Sequence, residues 1–230
     1  MPDLTPFFIC LAKAVMSKSL TIDFVSDVSC PWCAIGLKSL EQALQNIGDE
    51  AEVALHIQPF ELNPNMGPEG QNIDEHLSEK YGSTPQQQEQ ARAMIRARGA
   101  EVGFDFAMGK RDRIYNTFDA HRLLHWAEGE GKQVALKGEL FAAYFSRGED
   151  PSSHAVLLNA AEAVGLDRAA AAAVLSSQQF ADEVRTAEQF FQRHGINSVP
   201  AVIINQRHLI AGGQPAAVFE KALREIMAQS

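Results

Sequence analysis

Two cysteines two residues apart, in Cys30-Pro31-Trp32-Cys33, stand between an apolar run, Leu20 to Val25, and an amphipathic run, Ile35 to Ile47. No other stretch restricts the fold as strongly. The first run is short, β-branched and aromatic and reads as a strand. In the second, Ile35, Leu37, Leu40, Ala43, Leu44 and Ile47 recur at helical spacing. Pro31 suits the first turn of that helix, where the N–H it lacks has no partner inside the helix. Cys30 then sits at the helix start, where unpaired N–H groups and the positive end of the macrodipole favour a thiolate over a thiol. Cys33 lies about one turn further in. Two thiols at this spacing close a small disulfide, and reopening it moves two electrons. The residues therefore predict thiol-disulfide exchange, with Cys30 as nucleophile and Cys33 as the more buried, resolving thiol.

The neighbours of the pair carry weaker signals. Asp27 reads first as a turn-forming aspartate, with a proton acceptor for Cys33 as the alternative. Trp32 brings no cationic imidazole to stabilise the thiolate, so the reduced form is less favoured than in a pair enclosing a histidine. It is either an apolar surface for a substrate chain or a packing residue. A zinc site would need further ligands at fitting spacing, and the sequence holds no second CxxC. His121 and His125 are four apart on a predicted helix, but Arg122 stands where a metalloprotease-type HExxH has its glutamate, and no metal is expected.

Composition narrows the setting. The formal charge of −9 repels phosphate backbones and anionic membrane surfaces, so nucleic acid is not an expected partner. No run approaches the roughly 18 apolar residues of a membrane span. The sequence contains three cysteines, two of them in the motif, where a secreted chain relying on structural disulfides would carry more and in even number. A reducing, cytoplasmic setting is expected. Residues 1–19 read as an amino-terminal extension containing the third cysteine, Cys10. Its apolar stretch, Phe7 to Ala12, follows Asp3 and no positive charge, unlike a signal peptide, and Met16 is an alternative start.

Further along, Val53 to Ile57 reads as a second strand, and a helix between two strands implies parallel pairing. His56 within it reads as a core histidine. Prolines, asparagines and glycines from Pro59 to Gly70 make a boundary loop. From 71 to 194 the signals are helical: Ile73 to Tyr81, Pro85 to Arg98, Thr117 to Glu128, Val134 to Ser146, Ser153 to Val164, Arg168 to Ser176 and Gln178 to His194. Thr84 and Ser152 or Ser153 serve as caps, and Gly82, Gly99, Gly129, Gly148, Gly165 and Gly195 fall just past helix ends. Strand character then returns in Ala201 to Ile204 and Arg207 to Ala211, with a tight turn at Asn205-Gln206, and a last amphipathic helix carries Val218, Phe219, Ala222, Leu223 and Ile226 on one face. The layout is βαβ, a helical block, then ββα. Residues 20–70 and 195–230 build one α/β domain, with 71–194 inserted as an all-helical domain.

This layout, with CxxC at the start of the first helix and Val199-Pro200 before the third strand, resembles the thioredoxin fold, and the helical insertion resembles the DsbA superfamily. Within it, Asp27 to Cys33 with Ile35-Gly36, Asn116-Thr117 with Ala120 to Leu123, Gly195 to Pro200, and Gly212 to Pro215 are similar to the FrnE-like oxidoreductases. The resemblance spans about residues 20–228. It implies a cis Val199-Pro200 bond packed against the disulfide, with Pro200 part of the catalytic centre and the Val199 backbone free to pair with an extended substrate. It places Pro31, Trp32, Asn116 and His121 on the substrate side, although the residues alone equally read Asn116 as a helix cap and His121 as half-buried. Ser198, Ala34 and Gly213 depart from the glycine, aromatic and alanine usual at these positions. The implied activity is disulfide oxidation, reduction or isomerisation on protein or small-molecule disulfides, by a monomer or homodimer. The redox-active disulfide needs no cofactor, and glutathione is a candidate co-substrate. The competing readings are a glutathione-linked isomerase or transferase similar to the hydroxychromene-carboxylate isomerases and kappa-class transferases, and a chaperone-like binder of unfolded chains.

Overall fold

The computed structural model of the protein describes residues 18–229, so Cys10 and Met16 lie outside the described residues. Strand β1 (Lys18–Ser26) leads into helix α1 (Pro31–Ile47) and, past a short turn, into β2 (Ala51–Pro59). β1 and β2 pair in parallel from Lys18 opposite Ala51 to Ser26 opposite Pro59, the pairing that a crossover helix imposes. β2 is longer than the predicted Val53 to Ile57, because its alternating ends are half exposed and carry no apolar signal. A two-residue strand β3 (Gln71–Asn72) opens the helical block. It is followed by α2 (Ile73–Tyr81), α3 (Pro85–Glu101), β4 (Arg113–Ile114), α4 (Phe118–Gly129), α5 (Gln133–Phe141), α6 (His154–Ala163), α7 (Arg168–Leu175) and α8 (Ala181–Arg193). The chain ends with β5 (Ala201–Ile204), β6 (His208–Ala211) and α9 (Ala216–Ala228). The sheet order is β2-β1-β5-β6, with β5 antiparallel to β1 and β6 antiparallel to β5. The predicted α/β architecture, a thioredoxin-like βαβ…ββα frame with a large helical insertion, is the one observed.

The helices follow their signals closely, with three departures. The side chain of Thr84 caps α3 in a reciprocal box with Gln87, but α3 runs on to Glu101. Gly99 therefore lies inside it, where a Cβ would run into the Phe106 ring. The helix predicted from Val134 to Ser146 is α5 continued by a π-helical segment, Ala142–Arg147, since apolar spacing does not distinguish the two windings. α8 begins at Ala181 rather than Gln178, because Phe180 takes a left-handed φ of 62° that no helix propagates.

Three apolar cores hold these layers. The main one joins β1, α1 and α9 to an aromatic group from the block, including Phe104, Phe106, Phe141, Tyr144 and Phe145. Ile35, Leu37, Leu40 and Ile47 of α1 are all buried there, each contributing roughly 2 kcal/mol. A second core packs α4 to α7 around Val28, next to the cysteines in sequence. A third joins Phe191 and Ile196 to Val25, Phe60 and Ala201. The block thus shares its packing with the sheet, and the turn carrying the cysteines is wedged between them.

Candidate active site

Cys30 is the N-cap of α1 in an extended conformation, and Pro31 is the first helical residue. The Cys30 carbonyl accepts from the N–H of Cys33 at 3.1 Å and of Ala34 at 3.4 Å, closing the first turn. Both cysteines are free thiols. Cys30 is 4% exposed and lines a cavity; Cys33 is wholly enclosed in the main core. Burial pushes the Cys33 thiol well above its ordinary value, and the hydrogen bond and charge of Cys30 add to this, while Lys137 and the turn at Asp27 pull the other way.

Facing the pair from the opposite end of the chain, Val199-Pro200 is a cis peptide, and the Val199 carbonyl lies 3.7 Å from Cys30 Sγ. Two glycines let these segments meet. A Cβ on Gly36 would lie 3.1 Å from Pro200 Cγ and 3.3 Å from Gly213 Cα; one on Gly213 would lie 2.8 Å from the Trp32 carbonyl oxygen. Gly213, where the resemblance expects alanine, is thus where the ββα half presses on the CxxC turn. Ala34 is fully buried in the main core and so does not shape the substrate side.

Asp27 is fully buried beneath the turn. Its Oδ1 accepts from the Ser29 N–H at 3.0 Å and the Thr117 hydroxyl at 2.9 Å; its Oδ2 accepts from the Ser29 hydroxyl at 2.9 Å and the Leu62 N–H at 2.7 Å. Burial alone would raise this carboxyl. The neighbouring His121 and the N–H groups of Leu62 and Ser29 outweigh burial and hold it at about 2. A carboxylate so saturated is a poor proton acceptor, which supports the turn-forming reading of Asp27.

The cavity beside Cys30 has a volume of about 860 Å³, in the range of small-molecule sites. Pro31, Trp32, Ser198 and Val199 line one wall, and α2, α3 and the loop before β4 supply the other. In that loop, the Arg111 guanidinium lies 4.9 Å from the Tyr144 and Phe145 ring centroids. Among the described residues no carboxylate lies within ion-pair distance of it, and its Nε is buried without a partner. Arg111 escaped sequence reading because nothing near it in the chain forms a motif.

Asn116 and His121 do not line this cavity, correcting their predicted substrate-side placement. Asn116 accepts from the Phe118 N–H at 2.9 Å, folding over the start of α4. His121 is 2% exposed, with Nε2 3.7 Å from Asp27 Oδ1, because α4 turns that face toward the second core. His125 packs against Phe180 with the rings tilted and 5.2 Å apart, and among the described residues no group of three or more metal-ligating side chains gathers. His56 is not a core histidine: it is partly exposed and 2.6 Å from Glu128.

Comparison with known proteins agrees with this geometry. The model of the DSBA-like thioredoxin domain matches residues 21–224. The uncharacterized protein YwbO of Bacillus subtilis (strain 168) is 27% identical over 207 residues, covering 89% of this chain and 96% of that protein. The crystal structure of a probable DsbA oxidoreductase, SCO1869 of Streptomyces coelicolor, superposes with a TM-score of 0.85 at 30% identity, covering 92% of this chain and 91% of the other. The cytosolic disulfide reductase DsbM of Pseudomonas aeruginosa, in its structure with glutathione, shares the fold at a TM-score of 0.61 and 20% identity, covering 89% of this chain and 99% of the other. With a CxxC turn, a facing cis-proline and an inserted helical block in one continuous match, the chain belongs to the family of DsbA-like thioredoxin domains.

Proposed function

We propose that this chain is a dithiol-disulfide oxidoreductase in which Cys30 exchanges with disulfides seated in the adjacent cavity and Cys33 resolves the product. The observation that carries this reading is the asymmetry of the pair: Cys30 Sγ stands at the cavity wall beside the Val199 carbonyl, while Cys33 is sealed behind it. The Cys30 thiolate attacks one sulfur of a substrate RS–SR′; a Cys30–SR bond forms and R′S⁻ leaves, taking a proton from solvent. Cys33 then loses its proton and attacks Cys30 Sγ. The Cys30–Cys33 disulfide forms, and RS⁻ leaves and is protonated. Two electrons have passed from the dithiol to the substrate, and the reverse sequence oxidises a dithiol.

A small peptide disulfide suits the cavity volume, and glutathione is the proposed small thiol partner. The Arg111 guanidinium, at the cavity wall and with no carboxylate partner among the described residues, suits a carboxylate of such a ligand, and the DsbM structure with glutathione gives a precedent on the same fold. A glutathione-linked isomerisation at a single thiol is disfavoured, since Cys33 stands ready to expel any thiol bound to Cys30. The low cysteine count suits work in a reducing compartment.

Trapping tests the assignment. Mixed with glutathione disulfide and analysed by intact mass, Cys33→Ser accumulates a glutathione adduct on Cys30, and Cys30→Ser accumulates none. Equal adducts on both variants would refute the roles.

A further inference from the structure

One buried cation takes no part in the exchange written above. Lys137 lies on α5, fully buried, and its Nζ has no hydrogen-bond partner. The ammonium rests against the Phe141 ring, 5.0 Å from its centroid. The face that carries it is fixed at both ends. One turn earlier, the Gln133 amide accepts from the Ile57 N–H at 2.7 Å and donates to the Ile57 carbonyl at 3.0 Å, pinning α5 to β2. One turn later, Phe141 packs in the same core as Cys33. Gln133, Lys137 and Phe141, at i, i+4 and i+8, thus form one buried stripe, tied to the sheet at Gln133 and packed at Phe141 into the core that also encloses Cys33.

An ammonium without a hydrogen-bonded partner in an apolar core is costly to desolvate, so its presence there asks for a reason. The groups whose charges act on it are Cys33 and Cys30 on α1 and Asp27 in the turn before it. Asp27 is already saturated by Ser29, Leu62 and Thr117, with His121 of α4 on its far side. Burial brings Lys137 down to about 8, against the opposing pull of Cys33, Asp27 and Cys30.

Resting on the exchange reading, we propose that Lys137 is a positioning residue for the resolving step: its buried ammonium is the counter-charge under which the enclosed Cys33 thiolate forms. The sequence of states supports this. In the free dithiol, burial, the Cys30 hydrogen bond and the Cys30 charge all hold Cys33 in its thiol form. Once Cys30 is tied in a mixed disulfide, its sulfur carries neither proton nor charge, and both of its influences vanish. Burial and Lys137 are then the main opposing forces on Cys33. Cys33 releases its proton to solvent and attacks Cys30 Sγ, the Cys30–Cys33 bond forms as the Cys30–SR bond breaks, and RS⁻ departs and is protonated. Lys137 keeps its own proton throughout and acts only by its charge.

The test follows the resolving step of the full chain with glutathione disulfide, by acid quench and intact mass, across pH. Lys137→Met removes the charge at similar volume, and its thermal unfolding midpoint is expected to equal or exceed that of the unaltered protein. Its resolving rate at pH 7 is expected to fall about tenfold and the midpoint of its pH profile to rise by about one unit. Formation of the adduct on Cys30 should change far less, and Lys137→Arg should restore much of the loss. A Lys137→Met profile that overlays the unaltered one overturns the proposal. Failure of the trapping experiment would instead remove the exchange reading itself, so the two failures are distinguishable.

Discussion

At Asp27 burial and hydrogen bonding act in opposite directions, and hydrogen bonding wins. The buried carboxylate holds the CxxC turn to Leu62 and Thr117, tying together β1, the segment after β2 and the start of α4. Its folded value, about 2, lies below the 3.8 of an ordinary aspartate. The stabilisation it provides is therefore fully present above about pH 4 and is lost as pH falls toward 2. The difference corresponds to about 2 kcal/mol. Asp27→Asn keeps one acceptor oxygen but turns an NH₂ group on two of the four donors, leaving buried donors opposed. It is expected to destabilise the fold by about 2–3 kcal/mol at pH 7. In urea unfolding at stepped pH, the gap between the two proteins should narrow steadily from pH 4 to 2. A constant gap over that range would show that Asp27 acts by shape and not by charge.

The β5–β6 hairpin shows how a whole element can rest on a two-residue turn. Asn205 and Gln206 both have positive φ, 51° and 55°, and the Arg207 N–H bonds the Ile204 carbonyl at 3.1 Å, the geometry of a type I′ turn. Asn205 is suited to that backbone and also ties the hairpin to β1, its N–H donating to the Thr21 carbonyl at 2.8 Å and its Oδ1 accepting from the Thr21 N–H at 3.0 Å. Gln206 is exposed and adopts the left-handed region against a steric penalty of about 1 kcal/mol. Gln206→Gly removes that penalty, partly offset by the greater freedom of glycine in the unfolded chain. A net gain of about 0.5 kcal/mol in urea unfolding is expected, whereas Asn205→Gly, which loses the side-chain bond to the Thr21 N–H, should lower stability. The turn itself was legible, since two polar residues between two β-branched runs leave little other choice. The β3–β4 ladder was not, because strands of two residues each have no period to read.

Across the whole molecule, what the sequence showed and what it hid divide by range. Cys30 and Cys33 could be placed because a strand and a helix cap are local patterns, and Pro200 because the Val-Pro dipeptide helps carry the family resemblance that implies its place. Lys137, Arg111 and His121 could not, since the apolar spacing of a helix says which face is buried but not what that face meets. Glu61 and Glu188 are the clearest case, one in a loop that reads only as a boundary and the other on a helix that reads as amphipathic. Arg185 of α8 pairs with both, reaching Glu188 at 2.8 Å and bonding Glu61 as well, so the last helix of the insertion is fastened to the segment just after β2. Each carboxylate has one buried oxygen without a partner. Burial raises Glu61 above its ordinary value and the charge of Glu188 raises it further; burial also raises Glu188, with Arg185 opposing. For groups raised in this way, stability is highest while they are protonated and is lost as pH rises through the folded values. Glu188→Gln removes one of the two charges, keeps an oxygen for Arg185 and supplies an NH₂ donor to the unpartnered Glu61 oxygen. It is expected to stabilise the protein by about 1 kcal/mol at pH 7 to 8. The gain should fade in acid, where the unaltered Glu188 is itself protonated. A loss of stability at pH 7, measured by urea unfolding, would mean that the paired charges hold α8 in place, and that the insertion is fastened by the ion pairs themselves and not by the hydrogen bonds around them.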